Sequence, residues 1–170
     1  MTSDPLQTTP SAIPSGRVAG IDYGRKRIGI AICDARRIVA SPLAVRHPSG
    51  DPIVEAAFYG TLVAAEDIVG FVVGLPVHAD GRDSEMSLEV ERFGGWLSTA
   101  TNRPVVFHDE RYSSIEAVGL MAGRGLSRKK KKARTDALAA QIVLTAWLES
   151  AAATGFFSPF GNSRPGALNA

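Results

Sequence analysis

The Tyr23–Lys26 turn constrains this chain more than any other feature. It joins two apolar strand candidates, Arg17–Asp22 and Arg27–Cys33, and is too short for a parallel crossover, which takes about a dozen residues or more. The two strands must therefore be antiparallel neighbours. A further turn near Asp34-Ala35-Arg36 leads into a third strand over Arg37–Val45, so the chain opens as a three-stranded meander.

Beyond the meander the pattern alternates between helix and strand. Asp51 followed by Pro52 marks a helix start, as a cap and a first-turn proline. Its expected buried side is Ile53, Ala56, Ala57, Leu62, Val63 and Ala64, with Gly60 weakening the centre. Ile68–Gly74 is a nearly unbroken apolar run, the pattern of a central parallel strand covered on both faces. A helix over Ser84–Thr99 follows, with Met86, Val90, Phe93 and Leu97 on one side, and then a short strand over Pro104–Phe107. Ser113 and Glu116 have capping-box spacing for another helix starting near Ser113 or Ser114. The last helix is expected over Thr135–Ser150, with Leu138, Ile142, Val143, Ala146 and Trp147 as core contacts.

This order satisfies an α/β fold, a five-stranded mixed sheet with helices on both faces. The first strand is central, and Asp22 lies near the ends of the fourth and fifth strands, where crossing chains leave a cleft. A chain of 170 residues, 45% hydrophobic, supports one substantial core. We expect one domain over residues 17–150, a flexible lead over 1–16 and a partly ordered tail over 151–170. The single Cys33 excludes an internal disulfide framework and reads as a packed thiol, which fits a reducing cytoplasm. No segment reaches the roughly 20 apolar residues needed to span a bilayer, so no membrane partner is expected.

Net charge is only +2, but seven of the 19 basic side chains fall within residues 124–134, which contain no acid. The remaining 12 bases face 17 acids, so the basicity is local. Arg128, Lys129, Lys130, Lys131, Lys132 and Arg134 can attract a phosphate backbone with strong dependence on salt. A solvated linker or helix lead is the plainer use of the same run.

Three acids stand beside core elements. Asp22 lies between Gly20 and Gly24, where ligand chemistry competes with turn chemistry or a salt bridge. Glu110 follows the last short strand next to Asp109. Adjacent strand side chains point oppositely, so at most one of them reaches the Asp22 cleft. Glu110 is taken as the ligand and Asp109 as an orienting or surface residue. Asp136 lies near the start of the last helix, where exposed amide dipoles favour an acid for ordinary reasons, while Ala133, Ala137, Ala139 and Ala140 permit close approach. Together the three suit two Mg2+ or Mn2+ ions of a nuclease, with Asp22 bridging and Glu110 and Asp136 as outer ligands.

Taken jointly, Gly20-Ile21-Asp22-Tyr23-Gly24 through Gly29, Val73-Gly74-Leu75-Pro76 with Asp80-Gly81, Asp109-Glu110-Arg111 with Ser113-Ser114, and Asp136 with Ala139-Ala140 form a specific signature. On it the chain resembles the YqgF family, also described as RuvX-like pre-16S rRNA nucleases. That family's fold is similar to ribonuclease H and to RuvC-type Holliday junction resolvases. The resemblance implies a ribonuclease H-like cytoplasmic factor that trims the 5′ side of precursor 16S rRNA, with its three acidic site positions at Asp22, Glu110 and Asp136.

Its implied partner is the precursor RNA or a pre-ribosomal particle, with branched DNA as the resolvase alternative and a noncatalytic RNA-binding maturation factor as the non-enzyme one. A monomer or weak homodimer suffices for cutting one RNA strand. Arg25, Lys26, His78 and Arg111 join the 128–134 bases as candidate nucleic-acid contacts. Arg111 serves a structural salt bridge equally well, and a lone loop histidine such as His78 is more often an ordinary surface group. His47 and His108 carry no stronger case. Resolvases carry an acid near the end of the fourth strand, where this chain has Gly74-Leu75-Pro76.

Overall fold

The computed structural model describes residues 13–76, 85–109 and 128–153, with the backbone alone described at 128–134 and 151–153. Three strands open the chain: β1 (Arg17–Asp22), β2 (Ile28–Cys33) and β3 (Ala40–Arg46). Helix α1 (Pro52–Glu66), strand β4 (Ile68–Leu75), helix α2 (Glu85–Thr101), strand β5 (Val105–Asp109) and helix α3 (Arg128–Ala153) follow. The sheet order is β3-β2-β1-β4-β5, so β1 occupies the centre. It pairs antiparallel with β2 and parallel with β4, which is parallel to β5. The mixed five-stranded α/β sheet expected from the sequence is thus present, with helices on both faces.

Alternation along the strands splits the interior into two layers. Ala19, Ile21, Ile28, Ile30, Phe71 and Val73 pack with Tyr59, Val63, Val90 and Leu97 of α1 and α2. Val18, Ala31, Cys33 and Val72 pack on the other side against Ala140, Val143 and Leu144 of α3. Gly20 lets α3 come close: a Cβ there would lie 2.7 Å from Leu144 Cβ and 2.9 Å from the Ala140 carbonyl oxygen. Gln141 Nε2 also donates to the Ala40 carbonyl at 2.8 Å, tying the helix to β3. Cys33 is buried, accepts from the Val18 amide at 3.2 Å, and has its thiol pKa pushed up chiefly by burial.

Several boundaries differ from expectation for local reasons. The third strand begins at Ala40 because Asp34 Oδ1 accepts from the amides of both Ile38 and Val39, extending the turn. Arg37 adopts a left-handed φ of 56° within it.

Helix α1 does begin on the Asp51 cap, whose side chain accepts from the Ile53 amide at 2.9 Å. Its buried residues, however, are Glu55, Tyr59 and Val63, while Ile53 is 80% exposed. Glu55 can be buried because Arg46 of β3 donates to its carboxylate at 2.7 and 3.2 Å and the Ser49 amide donates at 2.9 Å.

The last helix starts at Arg128, not Thr135, so the lysine run forms its opening turns. Asp136 is consequently an interior helix residue, and a first-turn dipole role for it is ruled out. The helix proposed near Ser113, residues 1–12 of the lead, and the tail beyond 153 lie outside the described residues. No helix among the described residues is long and apolar enough to cross a membrane.

Candidate active site

Backbone register brings Asp22 and Asp136 to one place. Asp22, at the end of β1, lies opposite Gly29 in the antiparallel ladder, and directly paired residues share a sheet face. The alternation Val18, Gly20, Asp22 assigns that face to the α3 side. There α3 presses on β2 so closely that a Cβ at Gly29 would collide with the Asp136 carbonyl oxygen. Gly29 is thus the floor between the two acids, and only a residue without a side chain fits.

The rest of the row follows the parallel pairings. Ile21 lies beside Val73, so β1 ends level with Gly74, which pairs with His108 of β5. His108 shares the α3 face with Val106, whereas Phe107 packs on Gly94 of α2. Asp109, two residues beyond Phe107, falls on that α2 side of the sheet, away from Asp136. Glu110, His78 and Arg111 lie outside the described residues. His108 is half-buried with no hydrogen-bond partner at Nε2, and burial holds its pKa below the usual value against the opposing charge of Asp109. Sequence reasoning weighed it and found no case for a role, because a lone histidine in a strand carries no motif.

Sequence reasoning missed Arg27. Its Nε approaches Asp136 Oδ2 to 2.8 Å, with the two side chains 28% and 24% exposed. The approach is off-axis, so this is an ion pair without hydrogen-bond geometry, and both atoms are buried with no hydrogen-bond partner. The adjacent candidates behave differently. Arg25, 64% exposed, donates through Nε to Glu89 Oε2 at 2.9 Å, and the Tyr23 hydroxyl donates to Glu89 Oε1 at 2.8 Å. Burial and the Glu89 carboxylate push the Tyr23 pKa up to about 12, keeping that donor protonated. Tyr23 and Arg25 border an open cleft of about 280 Å3 with Phe93 and Trp96 on the α1/α2 side. Lys26 is exposed, and the 128–134 bases lie along the opening turns of α3.

A buried carboxylate oxygen that holds a cationic side chain without a proper hydrogen bond, set beside a second acid on one face, suits a divalent cation. No group of three or more metal-binding side chains occurs among the described residues, and the third candidate, Glu110, falls outside them. The described part of the donor set is thus two carboxylates, hard oxygen donors of the kind that Mg2+ and Mn2+ take.

A family profile described as "RuvX: Holliday junction resolvase" matches residues 16–150. The chain belongs to the RuvX family. A relative from Rhodopirellula baltica, 43% identical over 136 residues, covers 80% of this chain and 78% of its own length. One from Dechloromonas aromatica is 40% identical over 135 residues, covering 79% of this chain and 92% of its own. Both bear the name "Putative pre-16S rRNA nuclease". The RuvX chain also superposes on Thermus thermophilus RuvC, solved with a Holliday junction substrate, at a TM-score of 0.50 and 20% identity, covering 82% of this chain and 96% of that one. That likeness is one of fold. It agrees with the ribonuclease H-like architecture expected from the sequence.

Proposed function

We propose that this RuvX protein is a divalent-metal-dependent nuclease that hydrolyses phosphodiester bonds in maturing the 5′ end of precursor 16S rRNA. The observation that carries the reading is the meeting of Asp22 and Asp136 across Gly29. Their oxygens, with Glu110 from the segment after β5, would hold Mg2+ or Mn2+. Bound there, the ions supply a lowered pKa for the attacking water and charge compensation at phosphorus. The chain's own part is to hold and orient. Gly29 keeps α3 against β2, and the bases at 128–134 bind the phosphate backbone and lead it toward Asp136. The names of the relatives support RNA as the substrate, and the absence of an acid at Gly74-Leu75 of β4 argues against a resolvase-type site.

The test is Mg2+-dependent cleavage of precursor rRNA set against a four-way DNA junction at matched salt, with products mapped to the nucleotide. Asp22→Asn and Asp136→Asn should each retain fold and RNA affinity while cleavage falls by roughly a hundredfold or more, the loss expected when a metal ligand or charge-stabilising group is removed. Unchanged processing by both variants would leave a noncatalytic RNA-binding role. Preferential cutting of the junction would move the activity to DNA.

A further inference from the structure

We infer that Arg27 is a built-in counter-ion for Asp136, occupying its carboxylate when no metal is bound and competing with the metal for it. The inference rests on the metal-site reading above and adds a residue that controls it. Arg27 immediately precedes β2, and its Nε stands 2.8 Å from Asp136 Oδ2.

Arginine normally grips a carboxylate through two in-line N–H bonds, and that fork makes such pairs strong. Here the approach is made by Nε out of hydrogen-bond alignment, and both atoms are otherwise unsatisfied in a buried position. Buried polar atoms left this way call for an explanation, and a contact meant to be exchanged supplies one. A structural latch would be expected to complete its hydrogen bonds, as Arg46 does on Glu55 with two nitrogens.

The surroundings confine the exchange to side chains. The Asp136 backbone is pinned on Gly29, so α3 need not move when the carboxylate changes partner. Glu89, which holds Tyr23 and Arg25, belongs to α2 on the other side of the sheet. A displaced Arg27 is therefore left at the site with its donors open to a phosphate oxygen. Metal entry and substrate contact would be coupled through one guanidinium.

Calorimetric titration of Mn2+ into the full chain at fixed ionic strength reads the competition directly. Arg27→Gln should bind Mn2+ about fivefold tighter than the native chain, the scale of removing a partly exposed ion pair. Arg27→Lys, which restores the charge, should return the affinity toward native. Equal or weaker binding by Arg27→Gln with an unchanged unfolding midpoint overturns the inference and leaves the metal site standing. Absence of Mn2+ binding in the native chain and both variants overturns the metal-site reading itself. If Arg27→Gln does not fold, the native chain still decides. The Arg27 Nε–H NMR signal, assigned with Arg27→Lys, should shift with added Mg2+, and a signal that stays fixed at saturation overturns the exchange.

Discussion

Gly29 joins three parts of the molecule at one Cα: it pairs with Asp22, belongs to β2, and carries the weight of α3 at Asp136. Gly29→Ala therefore has no cheap accommodation, since the atom it meets is backbone. We expect about 1–3 kcal/mol of destabilisation, as for overpacking in a filled interior. Cleavage at saturating RNA should fall further than that loss predicts, because the strain is delivered at the backbone that carries the Asp136 side chain. Urea midpoints and single-turnover rates on the same preparation separate the two effects. A variant with native rate and stability would show that α3 does not depend on this contact.

At the scale of elements, α1 is held to β3 by Glu55 and Arg46. The Arg46 hydrogen bonds hold the Glu55 carboxyl below the usual carboxylate range against the cost of its burial. With the folded pKa depressed, the unfolded chain takes up the proton first. The pair's contribution is therefore present above the unfolded pKa of about 4.5 and lost as pH falls toward the folded one. Arg46→Met should remove that part of the acid sensitivity and destabilise at neutral pH by about 1–2 kcal/mol, discounted from a fully buried pair because Arg46 is partly open to solvent. Unfolding midpoints on either side of 4.5 check both statements.

The same pair shows where the sequence could be read and where it could not. Asp51-Pro52 announced the helix start because capping is local. Ile53 was misassigned because helical spacing cannot reveal that an acid will take the buried position when a base on another strand meets it. The strand order was legible from turn length and apolar runs, whereas the small neighbours of Asp22 and Asp136 only singled them out as candidates. Arg27 was not, since its partner lies far along the chain and only the packing of α3 on β2 unites them.

The whole molecule divides its labour by face. Helices α1 and α2 cover one side of the sheet, while α3 brings both an acid and a basic run to the other. Neutralising Lys129–Lys132 to Gln should weaken RNA binding and flatten its salt dependence by up to about 0.7 log–log units per lysine that contacts phosphate. Cleavage at saturating RNA should survive. Filter binding across a salt series measures the slope, and an unaltered slope would remove these lysines from the interface.

Carrying the lysine run and Asp136 on one uninterrupted helix also fixes their angular phase. Packing anchors the helix from Asp136 onward, so one alanine inserted after Arg134 would turn everything before it by about 100° and lengthen it by about 1.5 Å. Consecutive helical positions stand about 100° apart, so six bases within seven residues surround the axis and some of them face an approaching strand at any phase. RNA affinity should therefore change little with one inserted alanine or with four, and an affinity that is lost at one and regained at four would show that a single base makes the contact.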